Sequence, residues 1–302
     1  MTSTLVRQHT AHADSAPRVD LCARARDWSE IQERMLVPLY EAVHERLEVG
    51  PATRLLGLRC GTGLALLMAA ARGATVTGVD ASSPERLGLA RERLLPHSSH
   101  GVPGGVPALP GGPTESGRTR ARAGVELVAG SPADVGGDAA AYNLVTVFEP
   151  VGCLAEDSEG LGELLAQALP LASRGAAVVL AGWGPPERCA TSSVLRVAAK
   201  LAEPLRSTGS WRPARRDDLE EVAQRAGLKP DGSGRVACPF GYADLDSAVR
   251  GLLSTGLFDA AIAATDAKQV DKELTEALHP YRRPDGTVWM PNVFRYLVAR
   301  VP

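Results

Sequence analysis

The sequence predicts an α/β fold in which a doubly wound parallel sheet is covered by helices on both faces. Two observations lead to this fold class. Apolar, strand-like runs alternate with helical stretches through five units between residues 54 and 181, which is typical of such sheets. With 302 residues and 44% apolar content, the chain is also long enough to bury the core of one domain.

The first unit, residues 54–80, contains a glycine turn and is the most informative stretch. Residues 55–58 predict a buried strand, residues 64–71 are rich in Ala and Leu and favour a helix, and residues 75–79 predict a second strand. Backbone N–H groups at the turn favour a ligand with negative charge, and Asp80 lies where a carboxylate would bind a ribose diol. Tight turns also need glycine for steric reasons alone, so the turn by itself does not establish a ligand site.

The later elements follow from apolar patterning and from helix capping signals. Further strands are predicted at residues 125–129, 142–148, 176–181, 235–240 and 292–300. Helices are predicted at residues 84–95, 161–171, 214–226, 245–257, 259–265 and 267–278, with two short helices in 27–47 that are interrupted at Pro38.

Two segments have the composition of irregular chain. Residues 1–26 are expected to be a disordered N-terminus, and residues 27–302 to form one domain. Residues 96–124 are dense in Pro, Gly and Ser, so they predict a flexible insertion within that domain. A regulatory or partner role for the insertion is the alternative to a tolerated loop.

Charge and composition exclude several classes of function. A net charge of −2 offers no basic surplus for nucleic acid, and no run of 18 apolar residues predicts a membrane span. The N-terminus lacks the apolar core of a signal peptide. The five cysteines have no C-x-x-C spacing, which indicates a reducing cytoplasm and predicts neither a disulfide framework nor a metal site.

Residues 54–80 resemble the first βαβ unit of class I S-adenosylmethionine (SAM) methyltransferases, whose usual text is LDVGCGTG before a strand ending in Asp or Glu. Here Cys60-Gly61-Thr62-Gly63 and Val79-Asp80 match. The stretches PERC, FGYADLDSAVRGLL and YRRPDGTVWMPNVFRYLVAR resemble bacterial methyltransferases of specialised-metabolite pathways. The resemblance covers nearly the whole chain from Trp28 and implies a Rossmann-like, seven-stranded class I methyltransferase fold. It also implies that residues 241–290 form a helical lid.

The resemblance further implies a cofactor site, from which this chain departs at several positions. The family's acidic residue at the end of strand one falls on Gly57, its first glycine on Arg59, and the Asp of its strand-three Gly-Asp pair on Ser131. Because a hydrogen bond to a charged group contributes roughly 1.5–3 kcal/mol, losing two could weaken SAM binding about a hundredfold or more. SAM is therefore a possible but doubtful cofactor. The expected cofactor-binding positions are Arg59, Gly61, Gly63, Asp80 and Ser131.

Candidates for chemistry come from polar residues at the predicted strand ends and in the lid. Glu149, at the end of strand four, is a candidate acid or base; the alternative is a charge pair with Arg59 that replaces the cofactor's own zwitterion. His279 and Tyr281 are further catalytic candidates, and the alternative for His279 is a helix-end histidine satisfied by the backbone. Candidate substrate-binding residues, each with packing as the alternative, are Trp28, Tyr40, Trp183, Tyr242 and Arg282.

Three functions fit these features. The first is an enzyme of bacterial natural-product or antibiotic biosynthesis, repurposed from methyl transfer to cyclisation, pericyclic closure or rearrangement of a small molecule. The second is an active SAM-dependent O-, N- or C-methyltransferase, which the retained Gly61, Gly63 and Asp80 support. The third is a non-catalytic binding subunit, for which the insertion at 96–124 is the best feature. The expected partner is a small molecule in each enzymatic case, and the oligomeric state stays open.

Overall fold

The computed structural model describes residues 20–95, 118–122, 124–136, 141–151, 157–202 and 218–302. The strands are β1 Arg54–Leu58, β2 Thr75–Asp80, β3 Arg118–Arg122, β4 Val125–Ala129, β5 Tyr142–Val151, β6 Ala172–Trp183, β7 Lys229–Ala237, β8 Phe240–Tyr242, β9 Val288–Met290 and β10 Val293–Arg300. The helices are α1 Leu21–Asp27, α2 Val37–Arg46, α3 Leu64–Ala71, α4 Pro84–Leu94, α5 Asp157–Ala168, α6 Thr191–Leu201, α7 Asp218–Arg225, α8 Leu245–Ser254, α9 Asp259–Ala264 and α10 Ala267–Leu278.

The main sheet has eight strands in the order β3-β4-β2-β1-β5-β6-β10-β7. The five central strands β4, β2, β1, β5 and β6 are parallel, and β10 pairs antiparallel with both β6 and β7. The strand order steps outward in both directions from β1, so the carboxyl ends of β1 and β5 border the crevice where such sheets bind ligands. The predicted doubly wound α/β fold is confirmed.

Two apolar layers cover the two faces of this sheet. Leu55 of β1 packs in the layer that contains α2, α3 and α4, whereas Leu56 and Leu58 pack in the layer that contains α5 and α7. Alternate residues of a strand point to opposite faces, so Gly57 lies on the same face as Leu55. This face is the one that carries the N-terminal helices.

The eighth strand corrects the predicted insertion. Strand β3 pairs antiparallel with β4 through a turn at Gly124, where φ is 99°, so the expectation of flexible chain up to residue 124 is wrong for residues 118–122. An edge strand is paired on one side only and tolerates a polar sequence. Residues 96–117 and 123 of the predicted insertion lie outside the described residues.

The N-terminal segment also differs from the prediction. Asp20 caps α1 by accepting a hydrogen bond from Ala23 N at 3.0 Å, so the expected disorder up to residue 26 is wrong for residues 20–26; residues 1–19 lie outside the described chain. The helix is interrupted by a π-helical turn at Trp28–Gln32 and a 3₁₀ turn at Glu33–Leu36. Pro38 lies in the first turn of α2, where proline is well tolerated, and does not break the helix.

The segment between β7 and β10 holds the three predicted helices α8, α9 and α10 and the small pair β8–β9. Ion pairs join these helices to the N-terminal segment: Arg24 pairs with Asp259 at 2.8 Å, and Asp27 pairs with Arg250. Sequence reasoning missed α6 and the first half of β7, whose Pro230 and glycines are tolerated because β7 is an edge strand. Within the described residues, no helix is long and apolar enough to cross a membrane.

Gly78 on β2 marks the tightest contact between the sheet and α3. A Cβ at this position would lie 2.6 Å from Leu66 Cδ1, 2.7 Å from Leu127 Cδ2 and 2.9 Å from Cys60 Sγ. Overpacking of this kind costs about 1–3 kcal/mol, so we expect Gly78→Ala to lower the free energy of unfolding by that amount in urea denaturation. Gly88→Ala is the matched control, because its Cβ would meet nothing within 4 Å in α4 and should stabilise the helix by roughly 0.5–1 kcal/mol. Equal effects of the two substitutions would contradict this account.

His44 on α2 predicts a dependence of stability on pH. Burial, reinforced by the nearby Arg72 guanidinium, lowers the pKa of His44 from 6.5 to about 4. As pH falls below 6.5 the unfolded chain takes up a proton that the folded chain does not, so stability is lost between about pH 6.5 and pH 4. The shift corresponds to roughly 3 kcal/mol. Urea midpoints across this range should show the loss, His44→Gln should remove it, and His279→Gln, which alters an exposed histidine, should leave it in place.

Candidate functional site

The glycine turn between β1 and α3 has a strained backbone at a residue that is not glycine. Arg59 has φ of 48°, Gly61 has 57° and Gly63 has 76°, all in the left-handed region. This conformation costs a residue with a Cβ roughly 1–2 kcal/mol. The backbone at position 59 therefore has a conformation typical of glycine, although the residue is an arginine with a long, positively charged side chain.

Arg59 forms the predicted charge pair with Glu149, which is confirmed. Its Nη1 lies 3.2 Å from Glu149 Oε2, and the two side chains are 30% and 47% exposed. Its Nη2 lies 3.2 Å from the point that a Cβ on Gly160 would occupy. The guanidinium thus crosses from the end of β1 to the end of β5 and rests against α5.

Asp80, at the end of β2, is already hydrogen-bonded within the chain. Its Oδ2 accepts from Gly61 N at 2.9 Å, and its Oδ1 accepts from Ser82 N at 2.8 Å and from Ser82 Oγ at 2.6 Å. A carboxylate offers about four acceptor positions, so about one remains. A ribose diol has two hydroxyl groups to donate, which is one more than the remaining acceptor position can take.

A buried ion pair lies beneath the turn and was missed by sequence reasoning. Arg93 Nη1 of α4 lies 2.7 Å from Glu33 Oε2, and Glu33 is 3% exposed. The Thr62 hydroxyl donates a short hydrogen bond to the same carboxylate oxygen, while Arg93 also donates to Thr62 O at 2.8 Å and to Ser29 Oγ at 2.8 Å. Glu33 therefore supplies a carboxylate to the turn from the N-terminal segment, and Arg93 neutralises it.

The packing around Gly57 leaves no room for an acidic side chain at this position of β1. A Cβ at Gly57 would lie 2.7 Å from Leu66 Cδ2, so Leu66 of α3 fills the space that such a side chain would need. The close packing of α3 on the sheet therefore requires glycine at position 57, where the resembled family has an acidic residue.

The turn opens onto a cavity of about 40 Å³ between the strand ends and the N-terminal helices. One water needs about 10–15 Å³ measured in this way, so the enclosed part of the cavity holds roughly three waters. Tyr40 and Phe148 form an aromatic wall with ring centroids 4.8 Å apart. Six predicted site residues line the cavity: Trp28, Tyr40, Arg59, Gly61, Asp80 and Glu149.

The other predicted cofactor residues do not line this cavity. Gly63 packs against α4, where a Cβ would lie 3.0 Å from Leu94 Cδ1 and 3.1 Å from Ala90 Cβ. Ser131 donates from its N at 2.7 Å and from its Oγ at 3.0 Å to Asp134, which lowers the pKa of that carboxyl. Both residues therefore have structural partners of their own.

The remaining candidates lie in packing positions or at the surface. Trp183 packs on Phe294 with centroids 4.6 Å apart, and the buried Tyr242 hydroxyl donates to Gln32 Oε1 at 2.9 Å. Tyr281 Oη lies 2.8 Å from Ser193 Oγ on α6. His279 and Arg282, beside it in sequence, are exposed, and none of these five residues lines the cavity.

Arg86 lines the cavity although no pattern in the sequence indicated a role for it there. It lies on α4 with its Cζ 4.4 Å from the ring centroid of Trp28, and its Nη2 donates to Ser254 O at 2.8 Å. Burial lowers the pKa of Arg86, and the carboxylates of Glu149 and Asp80 oppose that shift. Nothing in the pattern of α4 separates Arg86 and Arg93 from the neighbouring arginines, because only the tertiary packing brings them to the turn.

The residues present do not fit SAM. Leu66 leaves no room for an acidic side chain at position 57, the Asp80 carboxylate already accepts three hydrogen bonds from the chain, and the Arg59–Glu149 pair crosses the mouth of the cavity. In the described part of the chain, no group of three or more His, Cys, Asp or Glu side chains is arranged to hold a metal ion.

Comparison with known proteins establishes the fold. No family model and no curated protein matches the sequence. The structure of a putative methyltransferase from Bacillus halodurans matches with a TM-score of 0.51 at 13% identity, over 87% of this chain and 98% of that one. The chain therefore has the fold of class I SAM-dependent methyltransferases, as the sequence predicts, with the edge strand β3 added to the seven expected strands.

Two further solved structures are similar at lower scores. The cyclase SpnF has a TM-score of 0.46 at 15% identity, over 87% of this chain and 80% of that one. A geranyl diphosphate C-methyltransferase from Streptomyces coelicolor, in complex with Mg²⁺, geranyl diphosphate and S-adenosyl-L-homocysteine, has a TM-score of 0.47 at 15% identity, over 89% and 82%.

The buried ion pair gives a test of how the turn is held. Glu33→Gln leaves the Arg93 guanidinium without its carboxylate, and breaking a buried pair in this way costs about 3–5 kcal/mol. We expect a loss of this size in the free energy of unfolding measured with urea. The control is Glu221→Gln, which breaks the exposed pair of Glu221 with Arg225 and should change stability by less than about 0.5 kcal/mol. A loss for Glu33→Gln no larger than that of the control would show that the pair does not hold the turn.

Proposed function

We propose that this chain is a methyltransferase-fold enzyme of bacterial specialised metabolism whose cavity no longer serves methyl transfer. In its place, the enzyme promotes cyclisation, pericyclic closure or rearrangement of a small-molecule intermediate, with no SAM in the reaction. The resemblance of residues 186–189, 240–253 and 281–300 to bacterial methyltransferases of specialised-metabolite pathways supports the class of pathway.

The observation that carries the proposal is the Arg59–Glu149 ion pair. It lies above the glycine turn, where the resemblance puts the methionine end of the cofactor against bare backbone. The resemblance implies that the ammonium and carboxylate of a bound SAM would fall in the region of this 3.2 Å pair. A chain that still used SAM would have to break this pair and move the guanidinium away on each binding event.

Without SAM, the chain can accelerate a reaction by restraining the conformation of the substrate and by polarising it. Holding a flexible substrate in a reactive conformation accelerates an intramolecular reaction by removing conformational freedom beforehand. Fixed polar groups that point at developing charge add electrostatic stabilisation. Glu149, half-exposed at the cavity mouth with one oxygen free of Arg59, is the group positioned to hold or accept a substrate proton.

One observation favours the alternative of an active SAM-dependent methyltransferase. Gly61 and Gly63 keep the left-handed turn, and Asp80 keeps its place at the end of β2. Under this alternative the Arg59 guanidinium would bind the methionine carboxylate. The third function, a non-catalytic subunit, relied on the insertion at 96–124, most of which lies outside the described residues.

Calorimetric titration with SAM and with S-adenosylhomocysteine separates the first two functions. We expect no saturable heat from the ligand-stripped protein up to about 1 mM, which means a binding free energy weaker than roughly −4 kcal/mol. A micromolar dissociation constant for either ligand would defeat the proposal and restore the methyltransferase function.

Arg59→Gly is the variant that shows what the ion pair contributes. It removes the cation and the left-handed strain together, so it should fold and gain roughly 1–2 kcal/mol in the free energy of unfolding. Because Gly57 still supplies no carboxylate and Asp80 still accepts three hydrogen bonds from the chain, we expect SAM binding in this variant to stay weaker than about 100 μM. Binding that appears only in this variant would identify the pair as the barrier to SAM.

A further inference from the structure

We propose that the cavity receives the protonated amine of a small-molecule substrate, with the hydroxyl groups of Tyr40 and Thr146 as hydrogen-bond acceptors. This inference rests on the proposed function, because it names the substrate class of the same site. Two hydroxyl groups without protein partners, the negative field in the lining and the small size of the enclosed space lead to it.

The first hydroxyl group belongs to Tyr40 on α2. The residue is 4% exposed and lines the cavity, and its hydroxyl makes no hydrogen bond to the described residues. The indole nitrogen of Trp28 has no accessible surface, but the Tyr40 oxygen is not sealed in this way, so it is open to the cavity. The ring packs on Phe148, a contact that a phenylalanine would make equally well. The hydroxyl therefore contributes nothing to the packing that is seen.

The second hydroxyl group belongs to Thr146 on β5. Thr146 pairs in register with Gly57 and lies on the sheet face that also carries Leu144 and Phe148. It is 2% exposed and lines the cavity, and its hydroxyl likewise has no partner in the described part of the chain and is not sealed from the cavity. Central parallel strands are normally apolar, and valine has the same shape as threonine. A polar group at this position is thus available to a ligand.

The number of charges around the cavity does not by itself select a ligand. The lining holds three carboxylates and two guanidinium groups, those of Glu33, Asp80 and Glu149 and those of Arg59 and Arg86. Arg93, which pairs with Glu33 from outside the lining, brings the total to three of each sign. The positions of these charges therefore decide the field inside.

Tyr40 and Cys60, two residues of the lining, lie in a negative field. Burial raises the pKa of Tyr40, and the Glu33 carboxylate raises it further by more than the Arg93 guanidinium lowers it. Burial also raises the pKa of the Cys60 thiol, and the carboxylate of Asp80 adds to this more than any nearby cation opposes it. A field of this sign attracts a cation and repels an anion.

The lining also has the acceptors that a primary ammonium group needs. Such a group has three N–H donors and no acceptor, and the hydroxyls of Tyr40 and Thr146 can accept two hydrogen bonds. Asp80 keeps about one acceptor position after its three bonds to the chain. Glu33 Oε1 accepts only a long bond from Leu64 N, at 3.4 Å. The cavity can therefore compensate the cost of burying an ammonium group.

The volume limits how much of the ligand enters. About 40 Å³ is room for roughly three waters, which suits an ammonium group with one or two methylene groups. The aromatic wall of Tyr40 and Phe148 packs on the methylene groups, and the bulk of the molecule lies at the mouth beside Arg59 and Glu149. An anchored charged end restrains the rest of the substrate, and the amine itself neither forms nor breaks a bond.

The test is a titration of the whole protein with four probes, followed in the NMR signals of the probes. The probes are n-butylammonium, 1-butanol, butyrate and butyltrimethylammonium, which share one alkyl chain and differ in the head group. A ligand of about five heavy atoms is expected to bind in the millimolar range. We expect this for n-butylammonium and at least tenfold weaker binding for the others. The alcohol lacks the charge, butyrate has the opposite charge, and the trimethyl head has no N–H and exceeds the enclosed space.

Tyr40→Phe and Thr146→Val each remove one hydroxyl group and keep the shape of the side chain. Each should weaken the binding of n-butylammonium roughly tenfold. Because neither hydroxyl has a partner in the described chain, neither variant should lower the urea midpoint of unfolding, whereas loss of a structural hydroxyl would lower it. Tyr281→Phe is the matched control: it removes a hydroxyl that lies 2.8 Å from Ser193 Oγ outside the cavity and should leave binding unchanged. If one of the two cavity variants does not fold, the affinity of the other still tests the inference.

Three results would overturn the inference: equal affinity for 1-butanol, equal or tighter binding of butyrate, or unchanged affinity for n-butylammonium in the cavity variants. Addition of SAM to the same samples separates the two proposals. Displacement of the amine by micromolar SAM would defeat the proposed function. Absence of amine binding in a protein that also ignores SAM would defeat the substrate class alone.

Discussion

The structure around the cavity depends on one interaction, the buried pair of Glu33 and Arg93. It joins the irregular N-terminal segment to α4 and, through Thr62, to the glycine turn. The π and 3₁₀ turns at Trp28–Leu36 change the helical register and allow both Glu33 and Trp28 to face the turn. Such irregular turns within helices are frequent at functional sites. The pair therefore holds Trp28 against Gly61 together with the Arg86 guanidinium that stacks on the indole ring and with the ion pairs of Arg24 and Asp27.

The same interaction explains how the fold persists while its ancestral contacts are lost. In the resembled family, a carboxylate on strand one, bare backbone at the turn and a free acidic residue after strand two serve the cofactor. Here each of these functions is met from within the chain, by Glu33 beneath the turn, by Arg59 with Glu149 above it, and by the donors of Gly61 and Ser82 on Asp80. The turn is therefore held by contacts from within the chain.

The sequence predicted the fold well because its signals are local. Residues 64–71 and 75–80 match α3 and β2, since apolar runs, helix formers and capping residues determine such elements over a few positions. The Arg59–Glu149 pair was also predictable, because the carboxyl ends of parallel strands meet at one edge of the sheet. The roles of Glu33, Arg86 and Arg93 were not predictable, because each depends on contacts between segments far apart in sequence. For the same reason, His279, Tyr281 and Tyr242 were plausible in the sequence but lie outside the cavity in the structure.

An unpaired buried donor is costly in any fold, and within the described chain the indole nitrogen of Trp28 is such a donor. Arg86 differs from it, because its guanidinium donates to Ser254 O and is attracted by the carboxylates of Glu149 and Asp80. The stacking of the Arg86 guanidinium on the indole ring contributes a favourable cation–π interaction, which offsets part of the cost of the unpaired N–H.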